Sequence, residues 1–172
     1  MNNEKNQQVP VLEIAEFFLS LDPEREYFLK DKIIKVEGNS VPTVGNLRLN
    51  KLLQITQILY AAKEGKYLFP EKFWAFEHGG IIYDIYHQFH FLVIPHRPSS
   101  IKNLNHNLKT FLTKIFNYFK TYTNQQLEDF VHEDPAWFTT WDDKRSREMP
   151  QNQEMINYYQ SFALHIAEKI GL

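Results

Sequence analysis

The sequence contains no cysteine, which excludes disulfide bonds, thiolate catalysis and thiolate metal ligands. It also lacks an apolar run of the ~18 residues that a membrane helix needs. The polar amino terminus, MNNEKNQQVP, has no apolar centre of the kind found in signal peptides. We therefore expect a cytoplasmic protein without a membrane partner.

Motifs for phosphate binding and nucleophilic catalysis are absent as well. The chain has no GxGxxG or GxxxxGK(S/T) loop and no GxSxG elbow. Its formal net charge is -2, whereas a general nucleic-acid binder needs a basic face. The basic run at 144–147 is flanked by acids, which is typical of a solvated loop. We expect no nucleic-acid partner.

The 172 residues are 43% hydrophobic and 15% aromatic, enough for one well-packed domain. Residues 1–9 are expected to form a flexible tail and residues 10–172 a single compact domain. Apolar residues recur at helical spacing through most of the chain, which predicts an all-α bundle of about six to eight helices with one short extended segment near 33–36. Nine segments, some of them short, are candidates for these helices: 10–22, 23–32, 46–64, 68–78, 81–89, 101–122, 123–132, 135–141 and 150–170.

The stretch FWAFEHGGIIYDIYHQFHF holds the first candidate for chemistry. His78, Asp84, His87 and His90 could converge on one metal ion, because residues three apart share a helix face. Zinc enzymes, however, show a tighter set such as HExxH. The alternative interpretation is that these histidines lie at helix ends and at the edge of the core.

A second candidate is the acid–base cluster His132-Glu133-Asp134. Adjacent residues on a helix point in different directions, so the three cannot act together. His132 closing one helix and Asp134 capping the next explains them better. The remaining candidate is a recognition surface, because Trp and Tyr carry much of the energy at protein interfaces.

Three segments resemble the Panacea domain, the family of phage-associated and SocA-like antitoxins. NLRLNKLLQITQILYAA (46–62) is similar to that family's "TNLKLQKLLYYAQ" helix, LFPEKFWAFEHGGIIYDIYHQF (68–89) to its segment around AW and GPV, and LEDFVHEDPAW (127–137) to its H-x-(E/D)-x-PW segment. The segments occur in the family's order. Gly79-Gly80 stands where the family has Gly-Pro, and residues 22–45 are longer than the corresponding stretch of the family.

The resemblance implies a non-enzymatic, helical antitoxin of a prokaryotic toxin–antitoxin system that needs no cofactor. Its implied partners are a cognate toxin encoded nearby and a AAA+ protease to which the toxin is presented. The alternatives are a metal-dependent enzyme using the histidine and aspartate cluster and a DNA-binding autoregulator, although no helix-turn-helix with a basic second helix is present. The motif implies structural roles for Asn46, Leu49, Lys51, Leu52, Gly79 and Ile82. We expect the partner to contact Trp74, Glu77, His78, Tyr83, Tyr86, His87, His132 and Trp137.

Overall fold

The computed structural model describes residues 8–29, 33–36, 39–42, 46–89 and 101–172. Within these ranges the chain forms eight helices and five short strands, which confirms a mostly helical fold with an extended segment at 33–36. The helices are α1 (Val11–Ser20), α2 (Asn46–Glu64), α3 (Tyr83–Gln88), α4 (His106–Phe119), α5 (Asn124–His132), α6 (Pro135–Phe138), α7 (Gln153–Phe162) and α8 (Leu164–Ile170). The strands are β1 (Ile33–Val36), β2 (Asn39–Pro42), β3 (Trp74–Phe76), β4 (Gly79–Ile81) and β5 (Arg147–Glu148).

Helix α2 is the centre of the fold, as its apolar residues on two sides predict. It packs against α1, α4, α5, α7 and α8, and every residue from 48 to 59 is buried. The buried set includes Leu49 and Leu52, and Asn46 is the first residue of the helix. Several buried positions of α2 are polar, and these side chains bind the backbone of neighbouring segments.

The helix expected at 68–78 is wrong, because its last part is strand β3. Burial alternates along this stretch: Phe73 and Ala75 are buried, whereas Trp74 and Phe76 are half-buried. Such a period of two, together with the aromatic residues, favours a strand. Strand β3 pairs antiparallel with β4 and with β5, which gives a three-stranded sheet in the order β4-β3-β5.

Several other boundaries differ from the expected ones. Residues 23–29 form turns and not a helix, and Arg25 there has a φ of 60°, a conformation that helical residues do not adopt. Helix α4 starts later than 101, at the side-chain cap Asn105, and ends at Phe119. The last helix begins at Gln153 and is divided into α7 and α8 at Ala163.

Part of the chain lies outside the described residues. This applies to residues 1–7 of the expected tail, to 30–32 of the expected second helix, to the metal-ligand candidate His90 and to the expected break at 91–100. No helix in the described ranges combines the length and the apolar character that crossing a bilayer requires.

Candidate functional site: an aromatic groove on a clamped hairpin

The β3–β4 hairpin places the central part of the candidate site. Its turn consists of Glu77 and His78, and both side chains are exposed. Sequence reasoning took Gly79-Gly80 as the end of a helix followed at once by another helix. Instead, both glycines lie in β4, and α3 begins only at Tyr83. The expected corner between two helices is therefore a corner between a strand pair and a helix.

Both glycines are required for close packing. Gly79 has a φ of +118°, which side-chain-bearing residues rarely adopt, and a Cβ there would stand 2.8 Å from Val131 Cγ2. A Cβ on Gly80 would stand 2.9 Å from Gln54 Oε1 and 3.0 Å from Phe73 Cδ1. The hairpin can approach α2 and α5 only because these positions carry no side chain.

Polar side chains of α2 accept hydrogen bonds from backbone N–H groups in β4 and directly after it. Gly80 N–H donates to Gln54 Oε1 at 2.7 Å, and Ile82 N–H donates to Asn50 Oδ1 at 3.0 Å. Gln54 Nε2 in turn donates to Asp134 Oδ2 at 2.8 Å. Because buried backbone groups need partners, these two side chains fix the position of the hairpin on the central helix.

Asp134 completes this network from the other side. Its Oδ1 accepts hydrogen bonds from Tyr159 Oη and from Ala136 N–H, both at 2.9 Å, so it caps α6 as expected. Burial raises the pKa of Asp134 above its ordinary value of 3.8, and the hydrogen bonds from Gln54 and Tyr159 offset part of this effect. The carboxyl group thus links three helices, α2, α6 and α7.

The side chains of His132 and Trp137 bind the backbone of the hairpin turn. Their rings stack with centroids 3.8 Å apart and planes 8° from parallel. Trp137 Nε1 donates to the Phe76 carbonyl at 2.8 Å, and His132 Nε2 donates to the Glu77 carbonyl at 3.0 Å. Trp137 is only 8% exposed. The sequence placed both residues among the partner-binding set; the structure places them behind the turn, bonded to its backbone.

In front of the turn lies a groove of about 340 Å³, hereafter the aromatic groove. Residues of α2, the hairpin and α3 line it. These residues are Leu47, Phe76, Glu77, His78, Ile81, Tyr83, Tyr86 and His87.

Tyr83 is the central ring of this surface. It is 37% exposed, one of the most exposed large hydrophobic side chains in the described residues. Its ring centroid lies 5.3 Å from that of Trp74 and 6.0 Å from that of Phe76, and its plane is within 14° of that of His87. The structure therefore brings Trp74, Tyr83 and His87 together.

A partly buried charge cluster adjoins the groove. Lys51 Nζ lies 3.6 Å from Glu128 Oε2, and His78 Nδ1 lies 3.2 Å from the same oxygen. Burial lowers the pKa of Lys51, and Glu128 opposes this effect. The positive charge of Lys51 is thus countered by Glu128 of α5, and His78 connects this cluster to the groove.

The histidine and aspartate cluster that suggested a metal site is only partly described. Of its four members, His78, Asp84 and His87 lie in the described residues and His90 does not. Within the described ranges, no three histidine, aspartate or glutamate side chains form a group that could hold a metal ion.

Sequence reasoning missed the residues that position the site. Asn50 and Gln54 lie on a helix whose apolar pattern dominated the interpretation, and Asp134 was recognised only as a cap. Phe76 and Ile81 were also missed, because the hairpin was expected to be helical. A usable signal was present: polar residues on a helix that is apolar on two sides must find partners inside the protein.

In comparisons with known proteins, no family model, no curated protein and no solved structure matches this chain.

Proposed function

We propose that this protein is a non-enzymatic interaction module of antitoxin type, which binds a cognate toxin protein through the aromatic groove. The observation that supports the proposal most is Tyr83, an exposed tyrosine in contact with Trp74 and Phe76 on a hairpin with a firmly held backbone. Exposed Tyr and Trp side chains on a rigid support are typical of the energetic centres of protein interfaces.

The way the groove is built supports a binding role. Its turn is held by hydrogen bonds from His132 and Trp137, and its edge strand by Asn50 and Gln54. A surface that is already ordered loses little conformational entropy when a partner binds. The hydrogen bonds that fix the hairpin backbone therefore favour a partner that is recognised by its shape.

The antitoxin assignment itself comes from the resemblance to the Panacea domain. In this proposal the protein acts in the cytoplasm on a toxin encoded nearby, and it presents that toxin to a AAA+ protease. The motif residues of α2 maintain the fold, and the hairpin with α3 contacts the toxin.

Co-expression with the adjacent open reading frames tests the proposal. We expect one neighbour to arrest growth when expressed alone and this protein to restore growth. Tyr83→Ala should reduce the rescue and the amount of co-purified toxin. The matched control is Tyr158→Ala, because Tyr158 is a 53% exposed tyrosine on α7 that does not line the groove. If no neighbour affects growth, the antitoxin proposal is wrong.

A further inference from the structure

We infer that the aromatic groove receives an arginine side chain of the partner protein, a step that rests on the proposed function and names the chemistry of its partner. The aromatic rings provide the first reason. Phe76, Tyr83 and Tyr86 line one groove, and a guanidinium group is attracted to ring faces within about 6 Å.

The charge of the groove provides the second reason. Glu77 contributes the only carboxylate among the described lining residues, and none of these residues is a lysine or arginine. The Glu77 carboxylate takes part in no ion pair with a described residue. A cation is the complementary ligand for such a surface.

Between the two cationic side chains, the geometry favours arginine over lysine. Guanidinium is planar, so it can stack on an aromatic ring while its N–H groups bind a carboxylate in a bidentate manner. The groove offers both features, since Phe76 and Glu77 both line it. Its volume of about 340 Å³ lies near the lower end of the usual range for ligand sites, ~300–1,000 Å³. It therefore suits one long side chain.

The backbone beneath Glu77 is fixed before any ligand arrives. The Phe76 and Glu77 carbonyls accept hydrogen bonds from Trp137 and His132, respectively. The carboxylate thus projects from a turn that cannot shift freely, which favours a ligand of defined shape over general attraction to positive charge.

NMR titration of the full chain with short peptides tests the inference. The first probe is acetyl-Gly-Gly-Arg-Gly-Gly-amide, and the second carries citrulline, which has the shape of arginine without its charge. We expect the arginine peptide to shift the amide signals of residues 76–87 and the citrulline peptide to bind about tenfold more weakly. A peptide with lysine should also bind more weakly than the arginine peptide.

Two exposed residues of the groove provide the variants. Glu77→Gln should weaken binding of the arginine peptide about two- to fivefold, and Tyr83→Leu about three- to tenfold. Matched controls are Glu168→Gln and Tyr158→Leu, both exposed and outside the groove, which should leave binding unchanged. Urea unfolding verifies that each variant is folded. The inference is wrong if citrulline binds as well as arginine, or if the shifts lie outside the groove.

The two proposals can fail separately. If the protein rescues growth but the arginine peptide does not bind in the groove, the antitoxin function holds and the arginine site does not. If no neighbour is toxic but the peptide still binds in the groove, the arginine site holds and the antitoxin function does not.

Discussion

Exchanging the amide group of Gln54 with the carboxyl group of Asp134 should test the hydrogen bonds that hold the hairpin on the central helix. Gln54 donates to Asp134 and accepts from Gly80 N–H, so its amide has one fixed orientation. Asp134 accepts on both oxygens. We predict that Gln54→Glu and Asp134→Asn each destabilise the protein, whereas the double variant recovers most of the loss.

The magnitudes follow from the contacts. In Asp134→Asn, the new amide N–H₂ faces Gln54 Nε2, because Oδ1 must still accept from Tyr159 and Ala136. Loss of this charge-assisted bond should lower the free energy of unfolding by about 2–3 kcal/mol. In Gln54→Glu, two carboxylate oxygens would lie about 2.8 Å apart. Coulomb's law with an effective dielectric of about 20 gives a repulsion of at most ~6 kcal/mol, which a shared proton reduces.

The double variant restores the central hydrogen bonds, but not the longer one of 3.5 Å from Gln54 Nε2 to the Val131 carbonyl, which still accepts from the backbone N–H of residue 134. The carboxylate introduced at position 54 would accept from Gly80 N–H and from the amide introduced at position 134. The oxygen of that new amide would keep its two donors, Tyr159 and Ala136. We therefore expect a coupling energy of about 2 kcal/mol or more between the two sites.

Urea unfolding at pH 7, followed by tryptophan fluorescence, measures all four proteins of the cycle. The control pair is Gln125 and Asp129, which form an exposed hydrogen bond within α5 at 2.8 Å; the same exchange there should give a coupling below about 0.5 kcal/mol. If the central double variant is as unstable as the sum of its single changes, the proposed hydrogen-bond pattern is wrong.

Three further predictions concern stability. Because the pKa of Asp134 is raised in the native state, the folded protein keeps this proton to higher pH than the unfolded chain does, and the free energy of unfolding should fall as pH rises from about 3.8 to the raised pKa. Urea unfolding of wild type and of Asp134→Asn across this pH range measures the effect, because the variant lacks the titrating carboxyl group. Lys51→Met should change the free energy of unfolding by less than about 1 kcal/mol, because the Glu128 side chain is 25% exposed and keeps His78 as a neighbour. Glu128→Gln leaves the buried ammonium unpaired and should cost about 1–3 kcal/mol, so equal effects of the two changes would contradict this asymmetry. Gly79→Ala should lower stability by about 2–4 kcal/mol, from the positive φ and the contact with Val131, and thermal unfolding would show it.

The sequence predicted the helical class because most helices carry their own signals. Asn105 and Thr123 cap α4 and α5 through their side chains, and Asp134-Pro135 starts α6. Such signals involve neighbours in the chain, so they can be read locally. The exact starts of α4 and α7 were missed because apolar spacing extends beyond the capped ends.

The hairpin could not be predicted in the same way. Aromatic residues at 73–76 fit a helix or a strand, and the choice depends on Arg147 and Glu148, which pair with β3 from a distant part of the chain. The need for glycine at position 80 also comes from a distant residue, Gln54.

The candidate site was predicted in part for a related reason. Trp74, Glu77, His78, Tyr83, Tyr86 and His87 are close in sequence, so any compact fold brings them near one another, and five of them line the groove. His132 and Trp137 reach the turn only through tertiary packing. Their position behind it could not be read from the order of residues.

The pairing of Ala75 with Arg147 also means that the sheet beside the groove can be completed only late in synthesis of the chain. The ribosome delivers β3 and β4 early, but the third strand and the two rings that clamp the turn emerge only after most of α5. A nascent chain interrupted before Glu148 carries all the groove residues without the complete frame that holds them. Premature termination or cleavage between α5 and β5 should therefore release fragments in which β3 lacks its second neighbouring strand and the groove lacks part of its support.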